Sequence, residues 1–219
     1  MFGIGKFVRK APKRLAMATL RPWSVSDSHT IERLKRLDQL LNGARVAIVG
    51  NAQSIFHQGL GEEIDGHDAI VRMNHGVIRS PDHQGSRTEV LCVAAPMSRD
   101  YVLKEFGAPA LIHTSAHRTK IRWSLLYGYP ELYFAPRCFW EGLKRDLKAP
   151  PSTGLMAIEV VSTFFSPRDI TLYGFDWMST KSFYHDDVLI RWHDWDAEAK
   201  HVGQWLVESP ESRRWRRAA

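Results

Sequence analysis

The chain has 219 residues and a formal charge of +6, with 44% hydrophobic and 25% charged residues. That length suits one well-cored domain and not two, and the composition is that of a soluble globular protein, which excludes a disordered or fibrous chain. Cys92 and Cys138 stand far apart and outside any Cys-x-x-Cys or Cys/His spacing, so they read as free thiols in a reducing compartment.

The chain opens with Lys6, Arg9, Lys10, Lys13 and Arg14. No unbroken apolar stretch follows, so neither a signal peptide nor a membrane span is expected and the protein is placed in the cytoplasm. Apolar Phe2, Ile4, Phe7, Val8 and Leu15 interleave with these charges. The segment reads first as a solvated terminus, and next as one drawn to an anionic membrane face or an acidic acceptor. From Ser28, the residues Ile31, Leu34, Leu37 and Leu41 recur at helical spacing, with Ser28 as cap and Gly43 as stop. Residues 45–50 form a buried strand ending in a tight polar turn, and 68–73, 88–94, 109–113 and 131–135 are further strand-like runs. Residues 152–165 form a helix followed at once by a strand over 168–174, and 192–207 form an amphipathic helix that opens beside His193. This alternation predicts an α/β fold, a mainly parallel Rossmann-like sheet with helices on both faces. The expected layout is a basic segment over 1–28, a single domain over 29–208 and a basic tail over 209–219, the last carrying Arg213, Arg214, Arg216 and Arg217.

Three clusters offer chemistry. In Val46-Ala-Ile-Val-Gly50-Asn51-Ala-Gln-Ser54 a strand ends at a glycine that admits close approach of a ligand, and the Asn51 amide offers donors and acceptors to a ribose or phosphate. Neither G-x-G-x-x-G nor a P-loop is present there. In Pro151-Ser152-Thr153-Gly154 the hydroxyls can cap the helix that follows while backbone N–H groups face a carboxylate or phosphate. The third is Tyr184-His185-Asp186-Asp187 followed by His193 and Glu198: one histidine can act as base and another, protonated, can donate to a departing phosphate.

Together these clusters resemble the sialyltransferase family with eukaryotic-type sialyl motifs, glycosyltransferase family 29. The run from Val46 through Gly50-Asn51, Ile64-Asp-Gly-His-Asp68 and Val71-Arg-Met-Asn74 resembles the long motif, and Pro151 to Gly154 through Tyr173-Gly174-Phe175 resembles the small motif. His193 with Glu198 five positions on resembles the very short motif, and His185 lies near the place of the third motif. The resemblance implies a variant GT-A glycosyltransferase fold in a short bacterial-type member. It implies an inverting transfer of sialic acid, or a related keto-acid sugar such as Kdo, from its CMP ester to a glycan hydroxyl, with no metal and no cofactor besides the donor. Asn51 and Asn74 would hold the phosphate and ribose, and Ser152, Thr153 and Gly154 would line the donor site with Gly174 and Phe175 nearby. His185 would contact the donor phosphate, His193 would be the base, and Glu198 would orient its helix. Bacterial surface polysaccharide or lipopolysaccharide is the acceptor so implied. The family's disulfide between its long and small motifs has no counterpart here: Ala44-Arg45 precede the strand, and 152–173 contain no cysteine.

Three rival readings attach to the same residues. Asp194-Trp195-Asp196 fits the Asp-x-Asp pattern that holds Mn²⁺ or Mg²⁺ beneath a nucleoside diphosphate sugar, but it arises often in acidic helices. A zinc site from His185, His193 and His201 needs spacings of eight, which do not match helical ligand pairs. A non-catalytic nucleic-acid module would use the basic ends and eight tryptophans, yet the basic residues do not interleave with aromatics, so no nucleic acid is expected.

Overall fold

The computed structural model describes residues 26–118, 121–184, 192–208 and 215–217. The described chain enters through α1 (Asp27–Leu34), capped by the Ser26 hydroxyl, which accepts from the His29 N–H at 3.2 Å. The cap expected at Ser28 therefore lies two residues earlier. The expected continuous helix is also broken, because a 3-10 turn at Lys35–Leu37 separates α1 from α2 (Asp38–Leu41). The apolar stripe survives this break, with Leu34, Leu37 and Leu41 all buried. Gly43, at φ 71°, ends the unit and donates its N–H to the Ser166 carbonyl.

Next come β1 (Arg45–Val49), a 3-10 turn (Gln53–His57), α3 (Gly61–Asp65), β2 (Ala69–Met73), α4 (Pro81–Gln84) and β3 (Val90–Val93). Then follow α5 (Arg99–Phe106), β4 (Ala110–His113), α6 (Trp123–Gly128), β5 (Leu132–Phe134), α7 (Arg137–Leu147) and α8 (Thr153–Phe164). The last elements are β6 (Asp169–Tyr173), α9 (Trp195–Glu208) and β7 (Trp215–Arg217).

The strands form one seven-stranded sheet in the order β5-β4-β3-β2-β1-β6-β7, and every neighbouring pair is parallel. Central strands of such sheets are covered on both sides and so read as continuous apolar runs. Val46 to Val49 show this, and Ala69 to Met73 do so apart from Arg72, all of them buried. On one face Val46, Ile48, Val71, Val90, Ile112 and Leu172 pack with α1, α2, α7 and α8. On the other, Ala47, Val49 and Ile70 meet the 3-10 turn and α3, while Leu91, Val93 and Leu111 meet α5 and α6. Helix α8 is buried from Leu155 to Val161, which explains why its sequence is apolar nearly all round. Trp215–Arg217, inside the run expected as a basic tail, pairs with β6 as an edge strand, with Trp215 opposite Ile170. Residues 1–25 and 209–214, which carry the other terminal charges, lie outside the described residues. Among the described residues no helix is long and apolar enough to cross a membrane.

This topology fixes where a ligand can sit. Strands β2 to β5 are laid down on one side of β1, and β6 and β7 on the other. The connections leaving β1 and β6 therefore diverge, and open α/β sheets bind ligands in the crevice that such a reversal opens at the carboxyl ends of the strands.

Candidate active site

A cleft lies at that reversal, lined by Gly50, Asn51, Asn74, Ser152, Thr153, Gly154, Gly174, Phe175 and His193 together with Met73, Asp176, Trp177, Met178, Tyr184 and Trp195. Eight of the nine residues expected to bind the donor or act in catalysis, the first-named ones other than Gly50, thus share one cavity. The ninth, His185, lies outside the described residues.

The two strand-ending glycines make the floor. A Cβ on Gly50 would stand 2.3 Å from the Gly174 carbonyl oxygen, and Gly174 itself has φ 63°. The close approach expected at Gly50 is therefore made by the neighbouring backbone, which lets the β1 and β6 loops meet. Asn51 donates its Nδ2 to the Met73 carbonyl at 3.1 Å. Asn74, at φ 47°, is in the left-handed region that asparagine tolerates better than most residues. Its Oδ1 accepts from the N–H groups of Ala94 and Ala95 at 2.9 and 3.2 Å, and its Nδ2 donates to Thr153 Oγ1 at 3.0 Å. Tyr184 hydrogen-bonds the side chains of Asn74 and Asn51; burial pushes its phenol above the ordinary range while these bonds pull it the other way. The two asparagines thus hold β2, β3, α8 and Tyr184 around the cleft before any ligand arrives.

The segment before α8 fixes the two ends of the His193–Glu198 stretch. His193 Nδ1 lies 2.7 Å from the Pro150 carbonyl oxygen. A carbonyl can only accept, so Nδ1 carries the proton and Nε2 keeps its lone pair. Burial pushes the His193 pKa below its ordinary value, against the Pro150 carbonyl, which raises it; the ring is neutral at pH 7. Two residues after Pro150, Ser152 donates its N–H to Glu198 Oε1 at 2.7 Å and its hydroxyl to Oε2 at 2.6 Å. The same hydroxyl accepts from the Leu155 N–H at 3.1 Å, so Ser152 also caps α8. The Ser152 N–H, expected to face a ligand's carboxylate or phosphate, is directed at the Glu198 carboxylate, and the hydroxyl, expected to cap the helix, does so while also donating to Glu198. Glu198 is fully buried, and burial pushes its carboxyl up to about 7 despite the two hydrogen bonds from Ser152.

A family model described as glycosyltransferase family 29 (sialyltransferase) matches residues 31–117, the stretch that contributes Gly50, Asn51, Met73 and Asn74 to the cleft. Over that stretch the chain is similar to glycosyltransferase family 29, the sialyltransferases. No curated protein matches the chain significantly. Among solved structures, a mammalian sialyltransferase superposes with a TM-score of 0.58 at 18% identity, over 88% of this chain and 79% of the other. A mammalian sialyltransferase in complex with Gal-beta-1-3GalNAc-ortho-nitrophenol gives 0.57 at 17% identity, over 96% and 85%. The architecture is the sialyltransferases' GT-A-like α/β fold.

Hydrogen bonds join the stretches that resemble the long and small motifs. Ser166 N–H donates to Asn42 Oδ1 at 2.8 Å, Arg168 N–H donates to the Ala44 carbonyl at 2.8 Å, and Asn74 reaches Thr153. Arg72, the arginine of the long motif's Arg-x-Asn, is buried in β2; it donates to the carbonyls of Gln84 and Arg87, and burial lowers its pKa to about 10. Its place is structural. The rival metal pattern is drawn into the helix: Asp194 Oδ1 accepts from the Ala197 N–H at 2.9 Å as a cap on α9, and Asp196 is exposed outside the cleft. Among the described residues no group of three or more His, Cys, Asp or Glu is placed to hold a metal ion.

His201, the third histidine of the zinc reading, lies 2.6 Å from Glu159 Oε1, and Glu159 is buried. The hydrogen bond His201 donates to Glu159 raises the His201 pKa, against burial. A histidine raised on folding stabilises fully below its unfolded value of about 6.5, and that stabilisation is lost as pH rises through the folded pKa. His201→Gln should therefore cost more stability in denaturant titrations at about pH 6 than at about pH 9.

Met178, Thr180 and Ser182 of the cleft escape a reading of the sequence, and Trp195 enters it only as the middle of the Asp-x-Asp pattern. Trp195 packs edge-on against His193 with ring centroids 5.2 Å apart. The signal for the loop residues was the strand-ending glycine in Tyr173-Gly-Phe-Asp-Trp177, which marks a ligand loop without telling which side chains turn inward.

Proposed function

We propose that the chain transfers a keto-acid sugar, sialic acid or Kdo, from its CMP ester to a glycan hydroxyl with inversion, and that His193 is the general base. The observation that carries this reading is the His193 tautomer: an imidazole neutral at pH 7, its Nδ1–H held by the Pro150 carbonyl, with Nε2 left to take a proton beside the cleft. The acceptor oxygen attacks the anomeric carbon as Nε2 removes its proton, the bond from that carbon to the phosphate oxygen breaks, and CMP departs with the bonding pair. A base so placed contributes roughly 10²–10⁴ in rate.

The rest of the cleft supports the donor. The N–H groups of Thr153 and Gly154, in the first turn of α8, are not reached by any carbonyl of their own helix, and both residues border the cleft. A helix start of this kind favours the donor's phosphate or carboxylate. Phe175, Trp177, Tyr184 and Trp195 give flat surfaces for a base or sugar ring. His185, protonated, is the proposed contact to the leaving phosphate, and no metal takes part. The acceptor is proposed to be a bacterial surface polysaccharide or lipopolysaccharide, met in the cytoplasm at the inner face of an anionic membrane to which the basic termini are drawn.

CMP at saturating concentration should raise the melting temperature by several degrees, and a generic oligonucleotide should not. Transfer should survive excess EDTA, and Asp194→Asn and Asp196→Asn should alter it only modestly. Complete loss in EDTA with rescue by Mn²⁺ would favour the Asp-x-Asp reading instead.

A further inference from the structure

Asp176 lies in the loop after β6 and takes no part in the steps above. Its Oδ2 accepts from Ser54 Oγ at 2.9 Å, from the Thr180 N–H at 3.1 Å and from the Thr180 hydroxyl. Its carbonyl accepts from the Ser179 N–H at 3.0 Å and the Ser179 hydroxyl at 2.6 Å. One residue thus gathers donors from both the β1 and β6 loops. Enclosed by these bonds, Trp177 and Met178 have φ 54° and 66°. Left-handed backbone is unfavourable for residues with a Cβ, and two in succession persist only where their surroundings over-determine them. Both border the cleft, with Trp177 5.8 Å from the Phe175 ring.

We propose that Asp176 is a positioning residue whose carboxylate clamps Trp177 and Met178 in the left-handed conformation, fixing the apolar wall that holds the flat base of the nucleotide donor. The inference rests on the donor reading above. An indole and a thioether supply polarisable surface suited to a planar ring, and they serve only if the backbone presents them at one fixed height. Without the carboxylate, the pair relaxes toward ordinary backbone angles and the wall leaves the cleft.

Hydrogen exchange of the loop amides and CMP titration test this together. Asp176→Ala should speed exchange at the Ser179 and Thr180 amides and weaken CMP binding by about tenfold or more, the loss expected when a charge-assisted hydrogen bond is removed. The donor KM should rise by a similar factor while the acceptor KM stays put. Asp176→Asn keeps an oxygen acceptor in the same place and should stay within about threefold of the unaltered protein. Met178→Gly removes the backbone penalty, so its melting temperature should hold or rise while CMP binding loosens, because glycine is equally content in the relaxed conformation. Unaltered exchange in Asp176→Ala, or faster exchange with unaltered CMP affinity, overturns the proposal. Should the alanine variant fail to fold, Met178→Gly decides: an unchanged CMP affinity there overturns it equally. If the unaltered protein binds no CMP, the donor reading falls and the nucleotide role of the wall falls with it, while the exchange rates still judge the clamp.

Discussion

His193→Ala should lose transfer by roughly two to four orders of magnitude while CMP binds with near-normal affinity. In the proposed mechanism the damage falls on the transition state, because Nε2 there meets the acceptor proton and not the nucleotide. Burial holds the His193 pKa below its ordinary value, so kcat/KM for the acceptor should be level through neutrality and fall only on the acid side, where the ring gains a proton. That acid limb should disappear in the variant. His185→Ala, by contrast, should weaken donor binding as well as turnover, since the phosphate contact proposed for it would already exist in the ground state. Near-normal transfer by His193→Ala, or joint loss of fold and CMP binding, would make His193 a structural residue.

Ser152→Ala should lower stability by about 2–4 kcal/mol and change CMP affinity little, because the Ser152 hydroxyl caps α8 and bonds the buried Glu198 carboxylate. The cost has a pH sign. Burial raises Glu198 to about 7, so below that value the carboxyl is mostly protonated and has less need of the hydroxyl, while above it a buried charge loses one of its two donors. The variant should therefore be hurt more at about pH 8.5 than at about pH 5.5 in denaturant titrations. The converse outcome, full stability with weakened CMP binding, would show that the hydroxyl faces the donor.

Much of the architecture was legible because the central strands are covered on both faces. Val46 to Val49 are apolar and buried throughout, and α8, the helix just before β6, is buried from Leu155 to Val161 with Glu159 its one charged residue there. Shorter elements such as α3, α4 and α6 span four to six residues and show no full period. The α1 cap was misplaced because Ser26 and Ser28 are equivalent in composition and only the backbone of residue 26, at ψ 131°, has the extended conformation a cap needs. Arg216 and Arg217 read as a solvated tail because charge is visible in a sequence while the ladder that pairs their backbone with β6 is not.

At the site, the five-residue step from His193 to Glu198 carried real geometry: the Pro150 carbonyl and Ser152 grip its two ends. What spacing could not show is that Ser152 and Asn74 spend their polar atoms on the protein itself. Nor could it show that Tyr184 and the Asp176 loop close the cleft, since those contacts join residues more than a hundred positions apart.

The most direct measurement of the central claim follows CMP release from CMP-sialic acid and CMP-Kdo, with and without bacterial surface glycans, in EDTA. Release should depend on the acceptor, with one CMP for each new glycosidic bond of inverted configuration, and should be abolished by His193→Ala. Absence of transfer from either donor, by a folded protein that CMP does not stabilise, would contradict that claim.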